Sequence, residues 1–435
     1  VPSQTLVIQN FFQSLTLANF NPGEVVSLQG FNNQPPPSPP GQPAGPPGGR
    51  FFVVPPPGAP YVKDEVILQI ANNAPLPQIQ AVLRRLGLTI LDQQPIGLLG
   101  LTTYRVHIDN GRPVANVIQS AAAFQIFVGG QANFIFTVTQ QPAADADLAG
   151  RTQEGDAAQY ALGKLGVVDV HRLLRGTNVT IAVIDSEIDV KHRDLDGVIA
   201  EEYDAVGKTE DPHPHGTGMA GAIAAHRRLL GIAPSARLLA VHAFSNTAVS
   251  AESTTFSILK GLDWAASKGV RVINMSFAGP RDPSMERALK AAHDRGIVLI
   301  AAAGNAGPKS PPLYPGADPN VIAVTATDVN DEVFSGANRG RYIAVAAPGV
   351  DILVPGTDAG YQLTTGTSVA CAEVSGVAAL LLERNPGLTP EDVRKILTAS
   401  AKRLGSNDEY GSGLVDPGKA VEAAGNLKPI TPAKR

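Results

Sequence analysis

Cysteine is nearly absent from this chain. Among 435 residues there is one, Cys371, so no disulfide can form within the chain. Charge of one sign is also missing: the formal net charge is -4 and no long basic run occurs. That removes the electrostatic footprint expected of a nucleic-acid or anionic-membrane binder. No stretch of about 18 uncharged apolar residues appears, so no transmembrane helix is expected. The chain opens at Val1 without a basic segment leading into an apolar one, so no export signal is visible. What is present is a 43% hydrophobic, 17% charged sequence, long enough for two or three domains.

The chain divides by texture. Residues 1–60 form an N-terminal arm and a low-complexity spacer. Within it, residues 34–60 hold 12 of the 36 prolines and a single charge, Arg50, a composition that suits a polyproline-rich spacer rather than a core. Residues 61–140 read as strand, helix, two strands, helix, strand, the order of a split ferredoxin-like α+β unit. The strands include VKDEVILQI, LTTYRVHI and ANFIFTVTQ; the helices are LPQIQAVLRRLG and PVANVIQSAAAF. Residues 141–155 are small, polar and aperiodic, as in an exposed linker. Residues 427–435 form a short tail.

From 156 to 426 short, wholly apolar runs alternate with helical segments. VTIAVID, RLLAVHAF, VRVINMSF, IVLIAAAG, VIAVTAT and YIAVAAPG are the runs. This pattern predicts an α/β fold: a doubly wound, mostly parallel sheet with helices on both faces. Sites in such folds gather at the carboxyl ends of strands. Asp185 ends one apolar run and Asn305 follows another. His215 and Ser368 each open a helical segment. These are the parts of acyl transfer. A serine hydroxyl needs a base, histidine serves as one near neutral pH, and a buried carboxylate fixes the imidazole. An amide and a helix-mouth N–H can hold the developing oxyanion.

The motifs IAVIDSEID, HGTGMAG and TGTSVACAEVSGVAALL resemble those of the subtilase family of serine proteases, in type and in the chain order Asp, His, Ser. GIAPSARLLAVHAF, VINMSFAG, AAAGNAG and VAAPGVDI are similar to family segments between them. The resemblance covers about residues 156–426 and implies a subtilisin-like serine endopeptidase. Its triad would be Asp185, His215 and Ser368, with Asn305 and the backbone N–H of Ser368 in the oxyanion hole. By the same resemblance Ser276, Phe277 and Ala278 would be the edge strand on which a peptide substrate docks. Ala302, Ala303 and Gly304 would line the pocket before the scissile bond. The 61–140 unit resembles the family's propeptide, a chaperone and inhibitor. The chain would then be a zymogen that cuts itself between about residues 140 and 155. Its partners would be a protein or peptide substrate and its own prodomain, and its location secreted or periplasmic.

Several positions depart from the family pattern. Glu187 stands where glycine is usual and is expected to face solvent. Gly218 replaces a second histidine. Ala372 and Glu373 replace proline and histidine after the nucleophile. The family's structural calcium is not supported: Asp194 is kept, but the following loop is short and basic at His226, Arg227 and Arg228, and calcium wants oxygen ligands. No metal site is assigned and no cofactor is required for the chemistry. Two other readings compete. A catalytically silent subtilase-like scaffold is motivated by the substitutions just named. An α/β-hydrolase esterase expects GxSxG and the order Ser, acid, His, whereas the sequence has GTSVA and the order Asp, His, Ser.

Overall fold

A computed structural model describes residues 49–139, 156–247 and 250–427. It also gives the backbone of a short hairpin, β1 (Val7–Asn10) with β2 (Gln13–Thr16), and of β8 (Ala144–Asp145). The expected spacer at 34–48, most of the linker and the tail beyond 427 lie outside the described residues.

The N-terminal unit carries the expected order. After β3 (Phe51–Val53) come β4 (Tyr61–Ala71), α1 (Leu76–Leu86), β5 (Leu88–Ile96), β6 (Leu101–Ile108), α2 (Val114–Ala121) and β7 (Phe127–Val138). Helix α1 places Ile79, Leu83 and Leu86 on one buried face and stops at Gly87, whose φ of 68° is the left-handed turn glycine adopts readily. Strand β3 is a difference from the spacer reading. Phe51–Val53 pairs parallel with β7, and the Phe51 and Phe52 rings lie over Gly129 and Gly130, where a Cβ would strike them at 2.3 and 2.8 Å. The surrounding prolines hide this strand in the sequence; two side-chain-free residues across from it make room for it.

The larger unit begins with α3 (Tyr160–Lys164) and α4 (Val167–Val170). Next come β9 (Thr180–Ser186), β10 (Ile199–Asp204), α5 (Pro214–Ala224), β11 (Arg237–Asn246), β12 (Ala251–Thr254) and α6 (Thr255–Ser267). Then follow β13 (Val272–Met275), β14 (Phe277–Ala278), α7 (Pro283–Asp294), β15 (Val298–Ala302), β16 (Val321–Thr327) and β17 (Ile343–Pro348). The chain closes with β18 (Ile352–Pro355), β19 (Tyr361–Thr364), α8 (Thr367–Arg384), α9 (Pro390–Ser400), α10 (Asn407–Tyr410) and α11 (Pro417–Asn426).

Strands β17, β16, β15, β13, β9 and β11 run parallel in that spatial order, with β10 on the far side of β11. Period-two alternation sends their side chains to two cores. Ile181, Val183, Val298 and Ile300 face the apolar layer of α5 and α8. Ala182, Ile184, Leu299 and Ala301 face the layer of α6 and α7. That second layer is continuous with the apolar side of the N-terminal unit, through residues such as Val66, Leu68, Phe134 and Phe136.

The N-terminal unit also caps the two helices it covers. Helix starts leave backbone N–H groups without intrahelical partners. The Phe256 N–H of α6 donates to Asn133 Oδ1 at 3.2 Å, and the Ser284 N–H of α7 donates to Gln131 Oε1 at 3.0 Å. Gln131 Nε2 reaches the buried Asp282 carboxylate at 2.8 Å, which Thr255 Oγ1 also donates to. Elsewhere Thr389 and Asp392 form a capping box at α9. Among the described residues no helix is long and apolar enough to cross a membrane.

Candidate active site

Asp185 ends β9 and is fully buried. Its Oδ1 accepts from the Ser186 N–H at 2.7 Å and lies 2.6 Å from His215 Nδ1. His215 sits in the first turn of α5, behind an unusual cap: the Nδ1 of His213 accepts the His215 N–H at 3.2 Å. That bond needs a neutral His213 ring. Burial, then the nearby His215, hold its pKa below the ordinary histidine value. The small residues after His215 let α5 lie close to its neighbours. At Gly218, a Cβ would meet Val354 Cγ2 at 2.9 Å, so the hairpin β18–β19 fills the space a second histidine would need.

Ser368 lies in the first turn of α8, a helix buried along nearly its whole length. Gly366, at φ 158° and ψ 168°, enters α8 in a conformation that favours glycine. Asn305 follows β15. Its Oδ1 accepts the Thr367 N–H at 3.0 Å and the Thr367 hydroxyl at 2.9 Å, which fixes which way the amide points.

An unanticipated residue joins these groups. Thr139, just beyond β7, places its carbonyl oxygen 2.7 Å from Asn305 Nδ2, and Ser368 Oγ donates to the same oxygen. The Thr139 hydroxyl is 2.5 Å from Ser368 Oγ. Ser368 Oγ also reaches Ser276 O at 3.0 Å, and the Thr139 N–H donates to that same Ser276 carbonyl at 3.3 Å. Thus the structure forms two groups: Asp185 with His215, and Ser368 with Asn305 and Thr139, on helices α5 and α8 that pack together. His215 Nε2 is buried and makes no hydrogen bond, so the serine hydroxyl points at the Thr139 carbonyl rather than at the imidazole.

The residues before Thr139 run through a slot with an edge strand on each side. On one side Phe277 pairs with Val138 and Ala278 with Thr137; on the other Glu252, Ser253 and Thr254 pair with Thr137, Phe136 and Ile135. The sequence reading names only the first wall; β12 is too short and polar to signal the second. Phe136 is fully buried, edge-on to Phe277 at 6.2 Å between centroids, and a Cβ on Gly279 would strike its ring at 2.3 Å. Ala302, Ala303 and Gly304 lead into Asn305. Gly304, at φ 106°, takes a conformation open to glycine, with Leu313 and Asn338 2.9 Å from where a Cβ would stand. Past Thr139, Asp145 and Ala144 pair with Gln362 and Leu363 of β19.

Two of the departures from the family pattern are buried wholly or in part. Glu187 does not simply face solvent: its carboxylate is 26% exposed and lies 3.0 Å from His242 Nδ1. Glu373 is buried, its Oε2 has no hydrogen-bond partner, and desolvation raises its pKa well above the ordinary carboxylate range. Cys371 is a buried thiol that burial pushes up to about 12, in keeping with an inert core side chain. The calcium position does not fit a cation. Both Asp194 oxygens accept backbone N–H groups, from Arg228 at 3.2 Å and Leu229 at 3.0 Å, with the Arg193 guanidinium 3.7 Å away. Donors, not ligand oxygens, surround that carboxylate.

Comparison with known proteins shows the family. Residues 176–413 match the subtilase family. Subtilisin Savinase of Lederbergia lenta is 37% identical over 251 residues, 57% of this chain and 91% of that protein. Subtilisin E of Bacillus subtilis (strain 168) is 38% identical over 256 residues, 57% of this chain and 66% of that protein. The crystal structure of fervidolysin from Fervidobacterium pennivorans, a keratinolytic enzyme related to subtilisin, superposes with a TM-score of 0.71 at 23% identity. It covers 88% of this chain and 63% of that one, a likeness of fold that reaches beyond the 57% matched in sequence. The chain belongs to the subtilase family and is a subtilisin-like serine endopeptidase.

Proposed function

We propose that this chain is a zymogen whose first substrate is its own Thr139–Gln140 bond. Ser368 is the nucleophile, His215 the general base and then acid, Asp185 the orienting carboxylate, and Asn305 the oxyanion donor. One observation carries the reading: the Thr139 carbonyl oxygen is held by Asn305 Nδ2 against Ser368 Oγ. The chain around it lies as a substrate would, between β12 and β14 before the bond and along β19 after it. The bond falls at the very start of the 140–155 stretch expected from the sequence.

The chemistry follows from the groups present. Ser368 Oγ turns toward His215 Nε2, gives up its proton and attacks the Thr139 carbonyl carbon. The imidazolium that forms is stabilised by Asp185 at 2.6 Å. The oxyanion takes the Asn305 Nδ2–H bond and the backbone N–H of Ser368 at the mouth of α8, where the helix dipole adds positive potential. His215 then passes its proton to the amine of Gln140, which leaves, and water hydrolyses the Thr139 ester by the same route in reverse. The 61–139 unit remains bound as an inhibitor through its last strand.

Substrates in trans would be extended protein segments with an aromatic residue four places before the cut, where Phe136 lies, and a small residue at the cut, where Thr139 lies. Ala302, Ala303 and Gly304 would line the pocket for that small residue. The chemistry needs no metal. Export to the periplasm or the medium is part of the same proposal and rests on the family resemblance. A silent scaffold is the less supported alternative, since the chain keeps Asp185, His215, Ser368 and Asn305.

Mass spectrometry and N-terminal sequencing test the proposal. Wild-type protein is expected to yield a fragment beginning at Gln140, whereas Ser368→Ala keeps its full mass. An uncut wild type, or a first cut elsewhere, overturns it.

A further inference from the structure

His242 lies on β11 directly across from Asp185 of β9 and is 5% exposed. Three carboxylates face its ring. Glu187, from the turn after β9, lies 3.0 Å from Nδ1; Asp204, at the end of β10, lies 3.3 Å from Nδ1. Glu210, from the loop before α5, lies 3.6 Å from Nε2. A neutral imidazole carries one N–H, so either tautomer would turn a lone pair toward a carboxylate. Neither ring nitrogen has hydrogen-bond geometry to these acids, so the attraction is one of charge, and only the imidazolium carries it.

The three acids reach the two segments that carry the Asp185–His215 pair. Glu187 stands two residues after Asp185, and its backbone carbonyl accepts the His213 N–H at 2.8 Å. His213 in turn caps the helix of His215. Glu210 precedes His215 by five residues and accepts the Asn246 N–H of β11 at 2.8 Å. Asp204 Oδ1 holds the turn that follows β10, accepting the Val206 and Gly207 N–H groups at 2.9 and 2.8 Å. We propose that His242, as an imidazolium, is a positioning residue: it clamps the Asp185 turn and the loop entering the His215 helix into the register that catalysis needs. This rests on the roles of Asp185 and His215 proposed above.

The electrostatics agree. Burial by itself would lower the His242 pKa, but Glu187, then Asp204 and Glu210, outweigh it and raise it above the ordinary histidine value. A group with a raised folded-state pKa gives its full stabilisation below its unfolded pKa, about 6.5 for histidine, and loses it as pH rises through the folded value. The clamp therefore holds fully below about pH 6.5 and slackens as pH rises through the raised folded-state value.

Two measurements test it. In the full-length Ser368→Ala chain, His242→Gln is expected to lower Tm most below pH 6.5, with the gap closing as pH rises. In the mature enzyme, His242→Gln is expected to reduce kcat about tenfold at pH 6.5, with little change in KM and a shrinking deficit toward pH 9. His242→Lys, which keeps the charge, should hold its rate where wild type slackens. A difference of constant size across pH in either arm, or a lysine variant no better than glutamine throughout, overturns the clamp. If wild type shows no turnover while the Tm gap keeps its pH dependence, the catalytic reading falls, and with it the positioning role, leaving only a charge-dependent hold of His242 on the two segments.

Discussion

Removing the Asn305 side chain separates two jobs that one amide performs. Its Nδ2 lies 2.7 Å from the Thr139 carbonyl oxygen, where charge would develop in the proposed attack. Its Oδ1 accepts from Thr367 N at 3.0 Å and Thr367 Oγ1 at 2.9 Å. Asn305→Ala should therefore cost about 2.7–4 kcal/mol of transition-state stabilisation, the range known for removing one such donor from a subtilisin. That corresponds to a kcat lower by roughly 10²–10³. KM should barely move, because the donor acts mainly on the oxyanion. Folding should suffer separately, by about 1–3 kcal/mol, from the unpaired Thr367 groups. Asn305→Asp splits the two effects: its carboxylate still accepts from Thr367 but offers no donor to the oxyanion. It should keep most of the stability and lose at least as much rate. The assay is steady-state hydrolysis of a peptide p-nitroanilide by the mature enzyme, alongside thermal melts of each variant. A fall in kcat of less than tenfold for Asn305→Ala would refute the oxyanion role.

Two further outcomes are expected. Glu373→Gln, made in the Ser368→Ala chain, should raise stability by about 1–3 kcal/mol at pH 8 and leave it nearly unchanged near pH 4. The reason is that burial raises the Glu373 pKa in the folded state, so stability is lost as pH climbs above the unfolded carboxylate value of about 4.3; melts with a pH-independent gap would contradict this. A peptide substrate carrying the chain's own IFTVT should lose roughly tenfold to 150-fold in kcat/KM when its phenylalanine becomes alanine, the worth of one buried aromatic side chain at about 1.5–3 kcal/mol. Equal rates for the two peptides would remove Phe136 as a guide to substrate choice.

Much of this was legible in residue order. Asp185, Asn305, His215 and Ser368 stand at strand and helix ends because a parallel sheet puts its loops there. The N-terminal unit could be read because its helices and strands keep clean periods of 3.6 and 2. The illegible parts depend on partners far apart in sequence. Glu187 looked like a surface charge, since nothing near it hints at His242, 55 residues onward on a neighbouring strand. Phe51–Val53 gained a strand only because Gly129 and Gly130 leave room for its rings. Thr139 carried no signal, as any residue can offer a carbonyl oxygen. Its place is set by the register of β7 against Phe277 and Ala278.

The slot between β12 and β14 has a consequence for what the mature enzyme can attack. Residues 135–139 lie in it as a fully extended strand, bonded on both edges, a span of about 17 Å at roughly 3.3 Å per residue. A helix cannot enter, since its backbone groups already bond to one another, and a strand inside a sheet has both edges taken. A target must first surrender the local structure of about five residues. Folded proteins would thus be cut at frayed termini and loosened loops, at a rate governed by the free energy of local opening rather than by sequence alone. The enzyme would act as a reader of unfolding, and on the proposed zymogen reading β7 is a segment delivered to it already open.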